Sequence, residues 1–392
     1  MAVAQGYGKT VTSGSVFAYD TGDTRNSYRG RPTTNLSTGY TLYNYNNVPG
    51  NVTTTITTTG GTYKGAAVWR QTITPLDSTG VSYLTNGNNP GIGVYHGGGG
   101  GTGGQYSGHT IFFKPVGPMY SSPIFTAYSN IGGWQSNGEY EDMGDGWFRA
   151  KVLWYYPSTL SDQKFWAINP SGATTNVPIT IDWAGPFKED LNSTTISQFV
   201  EGTRSATQGL LPLVGSPSLD LSNVSFNSNS QITFDGTNDY INTNYVSSYN
   251  GTVEMVLKSS DYNVRIPFSL NSDGYSSGPN IYFTGNTICW NIGDGGTNYF
   301  SNSSYPNSNF HHLTITNETS GATLYIDGVL VGTATSRDMT TTGNNKLWIG
   351  GYHDGGYYYN GEIPVMKLYN RALSAAEVKQ NYLHYKTRFN LS

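Results

Sequence analysis

Short runs in which apolar and polar residues alternate, each closed by Gly, Asn, Asp or Pro, follow one another along almost the whole chain. A period of two residues suits a β-strand, and the residues that close each run suit tight turns. The clearest case is TLYIDGVLVGTAT (323–335), where two β-rich runs flank Asp327-Gly328, a pair fitted to the positive φ angles of a type I′ hairpin turn. KLWIGG (346–351) reads as another strand, as does EIPVMKLYN (362–370), with Pro364 placed at an edge or a bulge. Only one segment follows a helical period. Ser374 and Glu377 make a capping box, and Val378, Tyr382 and Tyr385 follow on one face. Heptads and internal repeats are both missing from the pattern, which argues against a coiled-coil stalk or a solenoid.

Composition narrows the class. Charged residues make up 12% of the 392 positions, yet there are 31 Tyr, 15 Phe and 8 Trp, so the chain is folded and not disordered. Asn, Ser, Thr and Gly supply its polar surface in place of charge. A net charge of −4 without any Lys/Arg cluster argues against nucleic acid as a partner. The one cysteine, Cys289, excludes an internal disulfide framework and reads as a small buried apolar residue. No run has the length of a signal-peptide core or a membrane span. The expectation is a protein made in the host cytoplasm without membrane insertion, with the polar β-rich texture of virion proteins.

Specific segments carry a resemblance. The succession FDGTNDYI, VEMVLK, FHHLTIT, LYIDGVLVG, LWIGG and MKLYNRALSAAEVKQNY, from Phe234 to Phe389, resembles the laminin-G-like jelly roll of the concanavalin A superfamily. In VEMVLK, Val253, Met255 and Leu257 alternate with Glu254, Val256 and Lys258, as in a half-exposed strand, and the helix is expected to cover an open end of the sandwich. HTIFFKPV (109–116), GDGWFRAKVLWYY (144–156), VPITIDWAGPFKED and FVEGTRSA resemble a second jelly roll, of the carbohydrate-binding-module-like kind. The implied fold class is all-β: two antiparallel jelly-roll β-sandwiches with one short C-terminal helix. SVFAYDTGDTRNSYRGRPTTN (15–35) resembles the opening strand of the laminin-G-like module. The expected organisation is an arm over 1–37 that gives a strand to the C-terminal sandwich, an inserted jelly roll over 38–205, and a second jelly roll over 206–392. Together the halves resemble a bacteriophage virion protein of the fibre, decoration or adhesin type. That resemblance implies a non-enzymatic role on capsid or tail, other virion proteins and host-surface glycans as partners, and a homo-oligomer. A purely architectural subunit without ligand is the alternative, and a polysaccharide depolymerase the weaker one.

A retaining glycosidase needs two carboxyl groups roughly 5 Å apart. The cluster Glu139-Tyr140-Glu141-Asp142-Met143-Gly144-Asp145 departs from Glu-x-Asp-x-x-Glu at Glu141 and Gly144, and its acids read as solvated loop charges. His311-His312 point to opposite faces of a strand and read as structural. The Gly-rich run 97–104 lacks the Lys-Ser/Thr of a phosphate loop. Calcium is a better candidate than a transition metal, with Asp235, Asn238 and Asp239 offering oxygens in a turn; the competing reading is a turn capped by those same side chains. The strongest surface is GGYHDGGYYYNG (350–361). There Tyr352, His353, Asp354, Tyr357, Tyr358, Tyr359 and Asn360 could stack on sugar rings and bond hydroxyls, or form a subunit interface. Trp134, Trp147 and Trp154 are expected in the core.

Overall fold

The computed structural model describes residues 9–34, 40–41, 50–85, 92–96, 102–116, 124–129, 133–135, 139–159, 164–169, 174–191, 196, 203–227, 231–246, 251–261, 263, 265–271, 279–285, 287–291, 297–301, 308–318, 321–335, 345–352 and 356–392. The alternating runs become antiparallel strands, and the chain divides into two units. One comprises residues 1–32, 204–227 and 231–392; the other comprises 33–203 with 228–230. Among the described residues no helix is long and apolar enough to cross a membrane.

In the second unit a six-stranded sheet runs in the order Glu139–Gly144, Trp147–Tyr156, Gln105–Val116, Ile179–Leu191, Ala66–Pro75 and Val52–Tyr63. A five-stranded sheet runs Tyr40–Thr41, Ile92–His96, Lys164–Asn169, Ile124–Ser129 and Gly133–Gln135. One face of the six-stranded sheet buries Ile111, Phe113, Val152, Trp154, Ile181 and Trp183 together. Trp147 is buried too, beside Phe112 and Ala184, whereas the Trp134 side chain lies outside the described residues. Asp145 and Gly146 take φ of 55° and 78°, the left-handed conformation that a tight turn into Trp147–Tyr156 demands. A helix at Ser78–Thr85 was not predicted. Its Ser-Thr-Gly sequence has no apolar period, and Asp77 starts it by accepting the Thr79 and Gly80 amides at 2.9 Å each.

The first unit holds two sheets around one core. The larger runs Ser225–Phe226, Ile232–Asp235, Asn360–Tyr369, Thr252–Ser259, His311–Glu318, Gly321–Ile326 and Val329–Thr335. Ser15–Asp20 pairs antiparallel with the far part of Asn360–Tyr369, from Ser15 opposite Tyr369 to Asp20 opposite Val365, which makes eight strands. The smaller runs Leu219–Asn223, Tyr240–Val246, Lys346–Ile349, Arg265–Asn271, Asn280–Thr284, Thr287–Asn291 and Thr297–Ser301. Phe17, Tyr19, Val253, Met255, Leu313 and Leu324 from one sheet meet Ile241, Phe268, Ile281, Trp290 and Ile349 from the other. Asp327 and Gly328 adopt φ of 51° and 70°, so the hairpin turn has the predicted hand. Pro364 sits where the register with Thr252–Ser259 shifts, so its missing N–H costs no ladder bond.

Two expectations are corrected here. The helix, Ala375–Phe389, does not close an open end of the sandwich; it lies along the outer face of the eight-stranded sheet, where Tyr382, Tyr385 and Leu391 cluster with Val256 and Val365. In consequence Thr252–Ser259 is not half-exposed. Both of its faces are covered, and Glu254 is fully buried. The capping box itself forms, with Ser374 Oγ accepting the Glu377 amide at 3.3 Å and Glu377 Oε2 accepting the Ser374 amide at 2.9 Å.

Candidate functional site

The seven-stranded sheet turns Ile241, Ile349 and Phe268 toward the core, so parity sends Tyr240, Asn242, Lys346 and Trp348 to its outer face. Asn242 stands directly opposite Trp348 across the ladder. The Tyr240 and Trp348 rings lie 5.5 Å apart, and Tyr358 stacks on Tyr240 at 6.3 Å with planes 22° apart. Lys346 Nζ sits 5.0 Å over the Trp348 ring. Asn242 Oδ1 and Trp348 Nε1 are both buried without a hydrogen-bond partner among the described residues. Tyr240, Asn242 and Lys346 are half-buried on this outer face and Trp348 is 8% exposed, so the rings and the lysine form a candidate site at the margin of the core.

The tyrosine segment is held against this face by backbone and by one ion pair. The Tyr359 amide donates to Gly350 O at 2.8 Å and Ile266 N donates to Tyr357 O at 2.9 Å. Ser269 Oγ donates to Gly351 O at 3.0 Å. A side chain at Gly351 would meet Tyr240 Cβ and Tyr358 Cδ1 at 3.2 and 3.3 Å, so the missing side chain lets both residues close in on this stretch of backbone. Arg265 donates to Tyr358 O and Gly236 O while its fork engages Asp261, whose carboxyl is held well below the usual range by that guanidinium.

The predicted binding residues separate into three groups. Tyr357 is exposed, at 60%, and Tyr352 and Tyr358 are half-buried. His353 and Asp354 lie outside the described residues. Tyr359 is corrected: it is fully buried, with its ring 6.0 Å from Phe234 and 6.2 Å from Phe283, and belongs to the core. Asn360 donates to Asp261 Oδ2 at 3.0 Å, so it supports the Arg265 clamp more than it offers itself to a ligand. Tyr240, Asn242, Lys346 and Trp348 were missed. The signal was available in YIN and KLW, whose alternation puts these four on the non-core face once Ile241, Leu347 and Ile349 are taken as core.

Residues 235–379 match the family model of the concanavalin A-like lectin/glucanases superfamily. That segment contains every residue of the aromatic face. The botulinum neurotoxin type G receptor-binding domain is similar at 20% identity, with 45% of this chain and 48% of that one covered and a TM-score of 0.38. The CBM40 of the Ruminococcus gnavus IT-sialidase, bound to alpha2,3 sialyllactose, is similar at 18% identity over 33% and 80% of the two chains, with a TM-score of 0.29. The chain thus spans about half the length of the toxin domain it matches. No curated protein matches it.

The other candidates within and beyond the concanavalin A-like region resolve into structure. In the proposed calcium turn, Asp235 Oδ1 accepts the Thr237 and Asn238 amides, and the buried Asp239 carboxylate accepts those of Ser225 and Asp235. These oxygens are committed to backbone, the turn-capping geometry; among the described residues no cluster of three acidic, His or Cys side chains could hold a metal. His311 and His312 face opposite sides as expected, but each meets a carboxylate from another part of the chain: Asp327 at 2.7 Å and Glu254 at 3.1 Å. Glu141 pairs with Lys151 at 2.8 Å, and Asp142 accepts the Gly144 amide at 2.8 Å. Desolvation pushes the Glu141 carboxyl up, but Lys151 outweighs it and holds the group below its ordinary value. A glycosidase acid needs the opposite shift.

Proposed function

We propose that the protein binds glycans without chemical turnover, through the outer face of its seven-stranded sheet, and that it does so as part of a bacteriophage particle, on capsid or tail. The observation that carries the glycan reading is the Tyr240–Trp348–Tyr358 cluster on the outside of a concanavalin A-like sheet, with Lys346 and Asn242 beside it. Aromatic rings stack on the apolar faces of sugars, and adjacent polar groups bond hydroxyls. Its placement on a virion is supported by the charge-poor, tyrosine-rich composition and the paired jelly-roll resemblance, and other virion proteins are then its structural partners. The test is a glycan array with the intact chain, followed by calorimetry on its best ligand. Tyr240→Ala and Tyr358→Ala should each lower the affinity about tenfold. Binding by neither the wild type nor any array sugar would remove the reading, and absence of the protein from purified particles by mass spectrometry would remove the virion part.

The architectural alternative rests on a specific observation, the 60% exposure of Tyr357 at the crest of the segment. A homo-oligomer joined through that tyrosine would dissociate in Tyr357→Ser, measured by light scattering.

A further inference from the structure

The eight-stranded sheet has its own hollow, on the opposite side of the sandwich. Strands His311–Glu318, Gly321–Ile326 and Val329–Thr335 set three threonines in a cross-strand row, Thr316 opposite Thr323 and Thr323 opposite Thr333. Parity puts this row outward, since Ile315, Ala322 and Leu324 fill the core. Residues 372–375, the approach to the C-terminal helix, rise beside the row, with Glu318 and Tyr325 completing the walls of a cavity of about 550 Å³. Gly321, Ala372 and Ala375 leave the space open.

The chemistry of the lining selects its ligand. Hydroxyls both donate and accept, so a row of three matches a ligand carrying several hydroxyls of its own. The Glu318 carboxylate opposes an anion, and among the described residues no lysine or arginine lines the hollow. Ser374 is already spent on Glu377, so the helix end offers no anion site. The volume falls within the range of small-ligand pockets, about 300–1,000 Å³. We propose that this hollow is a second saccharide site, for a neutral mono- or disaccharide held by Thr316, Thr323, Thr333 and Glu318 with Tyr325 as its aromatic wall. It lies on a different sheet from the Tyr240 face and does not rest on that reading.

The experiment is a titration of the full chain, with its threonine methyls labelled for NMR, against glucose, maltose, lactose and diacetylchitobiose. At least one sugar should give saturable shifts at Thr316, Thr323 and Thr333. Thr323→Val, which keeps the side-chain shape and deletes one hydroxyl, should weaken that binding about five- to tenfold. The same variant should leave unfolding and Tyr240-face binding unchanged, and Tyr240→Ala should leave the threonine shifts intact. Silent threonine methyls with all four sugars overturn the proposal, even where the Tyr240 face responds. Undiminished binding in Thr323→Val overturns it equally.

Discussion

The two sheets of the first unit have the same alternating construction but opposite outer faces. On the eight-stranded sheet the outward residues Glu254, His312, Lys367 and Tyr369 are all buried, under the C-terminal helix and the segment around Val11. Glu254 there accepts from Tyr369 OH at 3.0 Å and Asn381 Nδ2 at 2.6 Å, pairs with His312 at 3.1 Å, and feels the charge of Lys367. On the seven-stranded sheet the outward Tyr240, Lys346 and Trp348 meet no helix among the described residues, and Asn242 Oδ1 and Trp348 Nε1 have no partner there. A buried carboxylate is tolerated only when its partners satisfy it, and the first face provides them. On the first face the charges are matched under a cover, while on the second an amide oxygen and an indole N–H are left unmatched among the described residues. Separate substitutions on the two faces should therefore change different observables.

The largest effect is expected at Glu254. Glu254→Ala leaves Lys367 buried without this counter-charge and His312 without its hydrogen-bond partner, a loss of about 3–5 kcal/mol. Urea unfolding should show it as a lower midpoint, and Glu254→Gln should recover part of it by keeping the contacts to Tyr369 and Asn381. A midpoint within error of wild type would mean that the helix face is not held by this network, and the contrast between the faces would fail.

Acid tests the same face without substitution. Desolvation raises the carboxyls of Glu254 and Asp327, yet their partners outweigh it, and both lie below their ordinary values: His312, Lys367 and Tyr369 around Glu254, and His311, the His312 amide and Ser392 around Asp327. A depressed folded-state pKa contributes stability that is present above the unfolded value, about 4, and is lost as pH falls through the folded one. Stability should decline below about pH 4, and Glu254→Gln should flatten part of that decline. An equal slope in wild type and variant would assign the acid sensitivity to other carboxylates.

Local rules made some of this readable in the sequence, and distant packing hid the rest. The Asp327-Gly328 turn and the Ser374–Glu377 box depend on residues at most three apart, so they were legible. Glu254 looked like a solvent-facing strand residue because the helix that buries it lies more than a hundred positions later. Tyr359 was indistinguishable from Tyr357 and Tyr358 within one tyrosine run; Phe234 and Phe283, from remote strands, decide that it is core. The carboxylates at 235 and 239 had the right types for calcium, and only the amide positions showed them occupied. Of the proposed binding face, the tyrosine segment was visible as composition. Its partners Tyr240 and Trp348 required knowing which sheet face was already taken.

On the seven-stranded face the expected change is in affinity. Gly351→Val inserts a branched side chain between Tyr240 and Tyr358 and should lower glycan affinity at least as far as Tyr240→Ala, about 1.4 kcal/mol or tenfold, by calorimetry. The part of the acid-dependent unfolding assigned to Glu254 and Asp327 should keep its slope in this variant, because neither carboxylate is on this face. Loss of that slope together with affinity would show the two faces to be coupled.

The smallest effect belongs to the helix cap, and it separates docking of the helix from its formation. Ser374→Ala removes the hydroxyl that accepts the Glu377 amide, a loss of about 1 kcal/mol. The remainder of the cap survives, because the Glu377 carboxylate still accepts the backbone amide of residue 374 and is gripped by Arg371 at 2.6 and 2.9 Å. The Arg371 guanidinium holds that carboxyl down to about 2, so it stays ionised through the acid range in which ordinary carboxylates protonate. Ser374→Ala should therefore lower the urea midpoint by the same small amount at neutral and mildly acidic pH, with an unchanged m-value. A penalty that grows on acidification would mean that the cap and the Glu254 network titrate together, and that the helix forms only where the covered face has already docked it.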